Sequence, residues 1–457
     1  MKKYRFFSVV LALAAMFTLF SVPAAALEDP DIQAEHVILV DGTYGEVLYE
    51  KRAQERAYPA SITKVMTALL VLEAIDAGKL TEDTLITASE ASQQGLSIYG
   101  STQDIKPGEA MSVKDLLYCL LVPSANEAAN ILAEAVDGSS ESFVESMNTR
   151  AKALGCKNTH FVNAHGLHHS DHYSTAYDIY LITKEAMEHD LFRQIVYTSV
   201  YETAATNLSA PRTFYNTNGL ITQWRFRGYV YDKAIGVKTG STDEAGYCLV
   251  SAAEDEEEYL IAVVLGAKTI TDEAGTIIDR QQFSESRRLL EWGFDSFQRT
   301  TITRADTPVA SVNVTLSRER EDVMVKPVGS IERTLPVDLD QSKIESEITL
   351  FSDTVEAPVE AGQVLGTMTL SYEGEVYGTL DLVADTDVSR SELLYKKAQL
   401  VAFFQNPIVR MVGLALIVGL LLFWLLVLRR RPRSYRGRSA FSFGRQRTYR
   451  GGRRRRR

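Results

Sequence analysis

A run of mostly apolar residues at 65–75 has the pattern of a buried helix, because few positions around the helix would be polar. Pro59 precedes the run and Gly78 follows it, as is common at the first turn and the end of a helix. A helix that is apolar on nearly every side lies inside a domain. The pattern therefore predicts a central helix with two polar residues, Ser61 and Lys64, at its N-terminal end.

Strand and helix patterns follow one another in blocks around this helix. Strand patterns at 36–41 and 45–49, joined by a turn at 42–44, predict a hairpin leading into it. Helical patterns lie at 113–121, 125–136, 142–154 and 177–188. Further strand patterns lie at 234–238, 247–251 and 259–266, followed by a helical pattern at 280–292. This order predicts an α+β domain over residues 27–298, with helices packed on an antiparallel sheet.

The pattern changes after about residue 300 to short alternating runs at 311–316, 365–372 and 378–382. Glu373-Gly374-Glu375 between the last two runs is a hairpin signal. These features predict a small all-β domain over 299–390. It has no charged or nucleophilic cluster, so we expect a spacer or an interaction module.

The two ends of the chain carry membrane-related patterns. Residues 1–26 have a basic start, an apolar run and a small-residue end, which predicts a cleaved secretory signal peptide rather than a retained anchor. A juxtamembrane helix is predicted at 391–410. Residues 411–428 contain no charge and are long enough to span a bilayer, which predicts one transmembrane helix.

The final segment, 429–457, contains 14 arginines and no acidic residue. The positive-inside rule places such a segment in the cytoplasm, so the domains before the helix are expected on the extracytoplasmic side of the cell membrane. Contact with anionic lipids is the preferred role for the tail, with nucleic-acid binding as the alternative.

Charge and cysteine content narrow the function of the exported part. Without the signal and the tail, 32 basic residues face 59 acidic ones. This excess of negative charge argues against an anionic polymer as the partner of the exported domains, and no nucleic-acid partner is expected there.

Three cysteines, Cys119, Cys156 and Cys248, make no even disulfide framework, and we interpret them as buried small hydrophobic residues. One disulfide remains an alternative.

Ser61 and Lys64 are the first candidates for chemistry. Residues three apart share one face of a helix, so the lysine amine can reach the serine hydroxyl. Burial lowers a lysine pKa, which makes the amine a competent base, and the N–H groups of a first helical turn can stabilise an oxyanion. The pattern is consistent with a nucleophile and its base, although Ser-x-x-Lys also arises by composition alone.

Two further short motifs follow in the chain. Ser124-Ala125-Asn126 lies where an apolar segment meets a helix, where the ordinary interpretation is a helix N-cap. The segment 238–242, Lys-Thr-Gly-Ser-Thr, follows a strand pattern and offers a cation, hydroxyls and exposed main chain along one line. Such a strand edge can bind a carboxylate and an extended peptide.

These motifs, in this order, resemble those of the penicillin-recognising serine enzymes, and most closely the low-molecular-mass D-alanyl-D-alanine carboxypeptidases. The resemblance covers roughly residues 35–295 and extends, more loosely, to the β domain. The segments that carry it are Pro59-Ala60-Ser61-Ile62-Thr63-Lys64, Leu116-Leu117 with Ser124-Ala125-Asn126-Glu127-Ala128-Ala129, Asn163-Ala164-His165-Gly166-Leu167, His172-Tyr173-Ser174-Thr175-Ala176, Asn216-Thr217-Asn218 and Gly236-Val237-Lys238-Thr239-Gly240-Ser241-Thr242-Asp243-Glu244-Ala245-Gly246-Tyr247-Cys248. The C-terminus departs from the family, in which many members carry an amphipathic anchor that lies on the membrane.

The resemblance implies a role for each motif residue. Ser61 would attack the bond between two D-alanines with Lys64 as base, and Ser124, assisted by Asn126, would relay a proton to the leaving amine. The residues implied for substrate binding are Lys238, Thr239, Gly240, Ser241 and Thr242, with the N–H groups of Ser61 and Ser241 as the oxyanion hole. Peptidoglycan stem peptides and β-lactam antibiotics are the implied partners.

No cofactor or metal is expected. The histidines at 165, 168, 169 and 172 lack a dedicated zinc spacing, and two of them, His165 and His172, match a structural loop of the family.

Several alternative functions remain. A serine β-lactamase shares all three motifs but would need an activated glutamate, and no convincing Glu-x-x-Leu-Asn segment lies between the second and third motifs. A DD-endopeptidase or a transpeptidase would use the same residues on a cross-linked stem peptide or on a second amine. A non-catalytic peptidoglycan-binding protein would keep the pocket without the chemistry, but the intact Ser61, Lys64, Asn126 and Lys238 argue against it.

Overall fold

A computed structural model describes residues 27–372 and 374–429 of the chain. The predicted signal peptide at 1–26, Glu373 of the predicted hairpin and residues 430–457 of the arginine-rich tail lie outside the described residues. The described residues divide into two compact units. The first runs to Thr307 and adds Val328–Glu347 and Met368–Leu380, and the second comprises Pro308–Pro327, Ile348–Thr367 and the residues from Asp381 onward.

A five-stranded antiparallel sheet, in the order β2-β1-β9-β8-β7, forms the centre of the first unit. Its strands are β1 His36–Asp41, β2 Val47–Lys51, β7 Ala234–Thr242, β8 Gly246–Asp255 and β9 Glu258–Ala267. Alternate residues of β1 pack in two different hydrophobic clusters. Ile38 and Val40 belong to the larger cluster, and Val37 and Leu39 belong to the smaller one. The sheet is therefore covered on both faces, which explains its almost uninterrupted apolar strands.

The helices of the first unit lie on these two faces. The larger cluster contains most of the central helix α1, Lys64–Asp76, and the smaller one contains Phe283, Leu289 and Leu290 of α7, Gln281–Ser296. The remaining helices are α2 Val113–Leu121, α3 Asn126–Asp137, α4 Ser140–Ala153, α5 Ala176–Met187 and α6 Asp190–Tyr197. The predicted α+β fold, with helices on an antiparallel sheet, is confirmed.

The central helix is buried as its sequence predicts. Every residue from Lys64 to Leu72 is buried. Its first turn differs from the prediction, because Ala60–Thr63 form a tighter 3₁₀ turn and α-helical geometry begins at Lys64. Ser61 therefore lies on a short turn in front of α1.

Sequence patterns did not predict α6 or several short strands in the first unit. The short pairs are β3 Leu85–Thr87 with β4 Ala110–Ser112, β5 Val200–Glu202 with β6 Thr213–Tyr215, and β10 Thr269–Thr271 with β11 Ile277–Arg280. Strand β12, Phe297–Thr303, pairs with β15, Ile331–Pro336. Strands of three or four residues are too short to show an alternating pattern, so tertiary contacts decide their conformation.

The second unit contains short strands, as the alternating pattern predicts. Strand β13, Ala310–Thr315, pairs with β14, Asp322–Pro327, and with β17, Thr354–Glu356. Three further strands, β16 Ile344–Leu350, β18 Val364–Tyr372 and β19 Glu375–Ala384, each have residues in both units.

Two helices follow the strands. Helix α8 spans Glu392–Gln405, and α9 spans Pro407–Arg429. Within the described residues, α9 is the one helix long and apolar enough to cross a membrane, and none of it is buried. It begins four residues before the predicted transmembrane segment.

All three cysteines are free. Cys119 and Cys248 are buried, as predicted, whereas Cys156 is only partly buried. Burial raises the pKa of the Cys248 thiol to about 12, so the thiolate that would attack a disulfide is suppressed.

Candidate active site

Ser61 and Lys64 meet where the 3₁₀ turn enters α1. The Lys64 Nζ lies 3.0 Å from the Ser61 Oγ, so the predicted contact is present. Ser61 is partly exposed, while Lys64 is fully buried. The hydroxyl is therefore accessible at the surface of the site, and the amine lies behind it in a dry environment.

The Lys64 amine has three hydrogen-bond partners, two of which come from distant parts of the chain. Besides the Ser61 hydroxyl, it donates to the Asn126 Oδ1 at 2.8 Å and to the His165 carbonyl at 2.7 Å. Burial holds the pKa of Lys64 well below its usual range, the nearby charge of Lys238 lowers it further, and Glu127 opposes the shift. An amine in this position can take a proton from Ser61.

The second motif has an unusual backbone. Ser124 has a φ of 73°, in the left-handed region that non-glycine residues seldom adopt. Its side chain does not cap α3, because Ala125 occupies the N-cap position and makes no side-chain capping bond. The N-cap interpretation of this motif is therefore wrong. Strained residues of this kind cluster at functional sites, and the Ser124 hydroxyl is buried without a hydrogen-bond partner among the described residues.

The third motif lies on the edge strand of the sheet. The prediction ended this strand at Lys238, but β7 continues to Thr242, so the whole motif is strand. β7 is hydrogen-bonded to β8 on one side and is at the end of the sheet order, which leaves its other edge open for an added peptide strand. Ser241 is exposed and Thr242 partly exposed on this edge.

Lys238 is a second buried amine in the site. Only 1% of its surface is exposed, and its Nζ donates to the Thr239 carbonyl at 3.1 Å. Burial, with a contribution from the charge of Arg225, lowers the pKa of Lys238 to about 7. At neutral pH this amine can therefore change charge, which bears on how tightly it would hold a carboxylate.

Gly240 brings β7 against the Ser61 turn. A Cβ at this position would lie 2.9 Å from the Pro59 carbonyl oxygen and 3.0 Å from the Ser61 amide nitrogen. Only glycine allows this approach without displacing the turn. The strand that carries Ser241 is thus packed directly beside the Ser61 N–H.

The loop that carries His165 and His172, the histidine loop, also contacts the turn of Ser61. The His172 Nε2 lies 2.8 Å from the Thr63 hydroxyl, which donates to the Ala60 carbonyl. Burial lowers the pKa values of His165 and His172 to about 3, so both rings are neutral near pH 7. The His168 ring instead packs edge-on against the ring of Tyr58. Within residues 27–372 and 374–429, no group of three or more His, Cys, Asp or Glu could hold a metal ion.

The contact between the histidine loop and the turn of Ser61 can be tested at Gly166, which lies between His165 and His172 and has a φ of +87°. A Cβ here would lie 1.9 Å from the Ala60 carbonyl oxygen. Gly166→Ala is expected to lower the unfolding free energy by more than about 2 kcal/mol and to slow acylation of Ser61 by a labelled penicillin at least about tenfold, because Ala60 must move.

Gly155→Ala is the matched control for Gly166→Ala. Gly155 has the same φ, +87°, but no atom within 4 Å of its Cβ position. This variant therefore measures the effect of backbone strain alone, which should lower the unfolding free energy by about 1 kcal/mol. Acylation of Ser61 should be unchanged. Equal effects of the two variants on stability and acylation would refute the close approach as the cause.

Sequence reasoning assigned no role to two residues that the structure places at the site. The Thr217 hydroxyl lies 2.6 Å from the Thr239 hydroxyl on β7, and Glu127 is buried beside Asn126. Both residues lie in segments that carry the resemblance, which implied no role for them, and Glu127 has the position of an ordinary first-turn acid of a helix. Neither position carries a local pattern that would reveal its contacts.

Comparisons with known proteins identify the family of this chain. The family described as D-alanyl-D-alanine carboxypeptidase matches residues 23–269, and penicillin-binding protein 5, C-terminal domain, matches residues 297–390. D-alanyl-D-alanine carboxypeptidase DacF of Bacillus subtilis is 33% identical over 362 residues, which is 79% of this chain and 87% of that protein.

Two solved structures extend the comparison. Penicillin-binding protein 5 from Haemophilus influenzae superposes with a TM-score of 0.61 and 27% identity, covering 80% of this chain and all of that one. The Streptomyces K15 DD-transpeptidase superposes with a TM-score of 0.51 and 33% identity, covering 58% of this chain and all of that one.

Proposed function

Because the chain belongs to the D-alanyl-D-alanine carboxypeptidase family of serine peptidases, we propose that it removes the terminal D-alanine from peptidoglycan stem peptides through an acyl-enzyme on Ser61. The observation that carries the proposal is the 3.0 Å contact between the Ser61 hydroxyl and the buried Lys64 amine, whose pKa is depressed. A serine needs such an adjacent base to act as a nucleophile.

The first half of the reaction forms the acyl-enzyme. The Ser61 Oγ attacks the carbonyl carbon between the two D-alanines while Lys64 takes the hydroxyl proton. The N–H groups of Ser61 and Ser241 stabilise the negative oxygen of the tetrahedral intermediate. As the C–N bond breaks, Ser124, assisted by Asn126, gives its proton to the departing amine of D-alanine and takes up the proton that Lys64 holds. Water then attacks the ester, with its hydroxyl going to the shortened peptide and its other proton passing through Lys64 to the Ser61 oxygen as the C–O bond breaks.

The residues that bind the terminal carboxylate of the substrate determine the preference for a peptide with a free C-terminus. We assign the binding of the terminal carboxylate to Lys238, Thr239 and Thr242 of β7, the strand that Gly240 allows to pack close to Ser61. A substrate whose scissile bond lies one residue from its C-terminus places its carboxylate there. A cross-linked stem lacks that carboxylate at the bond to be cut.

The direct test measures D-alanine release and product mass from a pentapeptide muropeptide and from a cross-linked dimer. D-alanine release from the pentapeptide should dominate. Faster dimer cleavage would indicate an endopeptidase, and faster transfer to an added amine would indicate a transpeptidase, as in the name of the Streptomyces structure. Rapid penicillin hydrolysis would indicate a β-lactamase, and penicillin binding without any peptide cleavage would indicate a binding protein.

The depressed pKa of Lys238 predicts how substrate affinity depends on pH. The amine loses its proton as the pH rises through about 7, so the KM for a D-Ala-D-Ala peptide should rise above this value, by up to about tenfold per pH unit. Lys238→Arg keeps its charge throughout, and its KM should stay flat between pH 7 and 9. A wild-type KM that does not change over this range would contradict the role of Lys238.

Membrane attachment is part of the proposal. Helix α9 is apolar and unburied, and the arginine-rich segment that follows it in the sequence favours a cytoplasmic position for the tail. We therefore place the catalytic domain on the extracytoplasmic side of the cell membrane, with the tail near anionic lipids.

Protease protection tests this topology. Protease added outside intact cells should digest the catalytic domain and spare an epitope on residues 440–457. Permeabilised cells, in which the epitope should be lost, are the control. Loss of the epitope in sealed cells would show that the tail lies outside the cell, opposite to the proposed orientation.

A further inference from the structure

A cavity at the end of β7 has no task in the proposed mechanism. Its volume is about 380 Å³, which is within the range of small-molecule sites. Glu244 and Ala245 of its wall belong to the turn that follows β7, and Tyr58 lies just before the turn of Ser61. We call this cavity the turn pocket. All the residues that line it belong to the first unit.

A peptide bound along β7 is directed toward the turn pocket. Lys238 and Thr239 belong to the proposed carboxylate site, whereas the N–H of Ser241, assigned to the oxygen of the scissile carbonyl, lies further along the strand. The upstream residues of the peptide therefore leave toward the C-terminal end of β7, where Glu244 lines the pocket. The acyl D-alanine has only a methyl side chain. The residue before it, the third of a pentapeptide stem, is thus the first whose side chain can reach the pocket.

The turn pocket contains a cation that is available to a carboxylate. The guanidinium carbon of Arg56 lies 4.1 Å from the centre of the Tyr173 ring. Among the residues that the structure describes, Arg56 has no ion-pair partner. Stacking on the ring orients the guanidinium, and its planar N–H groups match the geometry of a carboxylate.

The same pocket offers an acceptor from a buried side chain. His36 lines the pocket and is only 6% exposed, and its Nδ1 lies 3.2 Å from the Arg52 carbonyl oxygen. Because a carbonyl can only accept, the Nδ1 donates, and the Nε2 of the neutral ring is an acceptor. Within the described part of the chain, this Nε2 has no hydrogen-bond partner. It is therefore free to accept from a ligand.

Three carboxylates add to this acceptor. Glu35, Asp171 and Glu244 line the pocket. Glu244 and Asp171 lie 3.7 and 4.0 Å from the rings of His168 and His169, which is too far for a hydrogen bond. Their oxygens can therefore accept from a ligand. Three carboxylates and one guanidinium give the pocket an excess of negative charge, which favours an ammonium group over a lone carboxylate.

We propose that the turn pocket binds the free end of a diamino diacid at the third position of the stem peptide. Such an end carries an ammonium and a carboxylate on one carbon. Arg56 binds the carboxylate, and the His36 Nε2 with the acidic side chains binds the ammonium. A lysine at the same position offers the ammonium alone. The inference rests on the proposed release of D-alanine at Ser61, and it names the substrate that this site prefers.

The test measures D-alanine release by the full chain in detergent from four pentapeptides that differ only in the third residue. These residues are meso-diaminopimelate, its amide at the free carboxyl, L-lysine and L-norleucine. The kcat/KM should be highest for the free diacid. It should be about tenfold lower for the amide and for lysine, which lack the carboxylate, and about tenfold lower again for norleucine, which lacks both charges.

Two variants assign this preference to named side chains. Arg56→Gln removes the cation and should lower the kcat/KM for the free diacid to the value for its amide. Glu244→Gln should narrow the difference between the peptides that carry an amine and the norleucine peptide. Arg193→Gln is the control, since Arg193 also lies over a tyrosine ring but does not line the pocket, and it should keep the wild-type order.

Acylation by a labelled penicillin and thermal unfolding are measured on each variant. Penicillin has no third stem residue, so its reaction reports on Ser61 separately from the turn pocket. Equal kcat/KM values for the four peptides, or a preference for lysine over the free diacid, would overturn the inference. A preference for the free diacid that persists in Arg56→Gln would also overturn it, as would equal losses on all four peptides with a lowered melting temperature. If penicillin acylated Ser61 but no peptide released D-alanine, the proposed function itself would fail instead.

Discussion

Replacing Ser61 by alanine is expected to abolish covalent labelling by penicillin and to lower the rate of D-alanine release at least about ten-thousandfold. The hydroxyl is the atom that forms the acyl-enzyme, and the Lys64 amine lies 3.0 Å from it. Alanine removes the nucleophile without filling or opening the site, because the side chain is small and partly exposed. The variant should therefore remain folded and still bind the peptide without reacting.

The measurement combines peptide mapping of the labelled protein with the D-alanine release assay. Ser142→Ala, at an exposed position on α4, is the matched control and should label and turn over like the wild type. A penicillin label on another serine, or retained D-alanine release in the Ser61 variant, would show that the nucleophile lies elsewhere.

Replacing Lys64 by methionine should slow both reactions by about a thousandfold to ten-thousandfold, the upper part of the range for general-base catalysis. Methionine has a similar length and is apolar, so it can occupy the fully buried position of Lys64, but it cannot accept a proton. The substitution also leaves the Asn126 Oδ1 and the His165 carbonyl without the amine that now joins them. The loss therefore combines a missing base with a loosened Asn126.

Lys79→Met, an exposed lysine just beyond α1, is the control for a general effect of the substitution and should be fully active. Circular dichroism and thermal unfolding check that the Lys64 variant is folded. A folded Lys64→Met protein that acylates at the wild-type rate would mean that another group takes the Ser61 proton.

The sequence alone determined the framework of this protein. An apolar pattern at 65–75 identified α1 as a buried helix, because a helix exposed to water needs a polar face. The same local rule placed Ser61 and Lys64 within reach of each other, since residues three apart in a helical turn face the same way. The long apolar segment at the C-terminus likewise predicted α9 from length and composition.

The detailed geometry of the site was decided only by the tertiary structure. The Lys64 amine meets Asn126 and the His165 carbonyl, which are 62 and 101 residues away in the chain, and Thr217 meets Thr239 across the site. The left-handed backbone of Ser124 and the fit of Gly166 against Ala60 are likewise set by neighbours that are distant in sequence. A local pattern reports which residues share a face of one helix or strand. The burial, charge and spacing of a site depend on how those elements pack, and the pKa values of Lys64 and Lys238 follow from that packing.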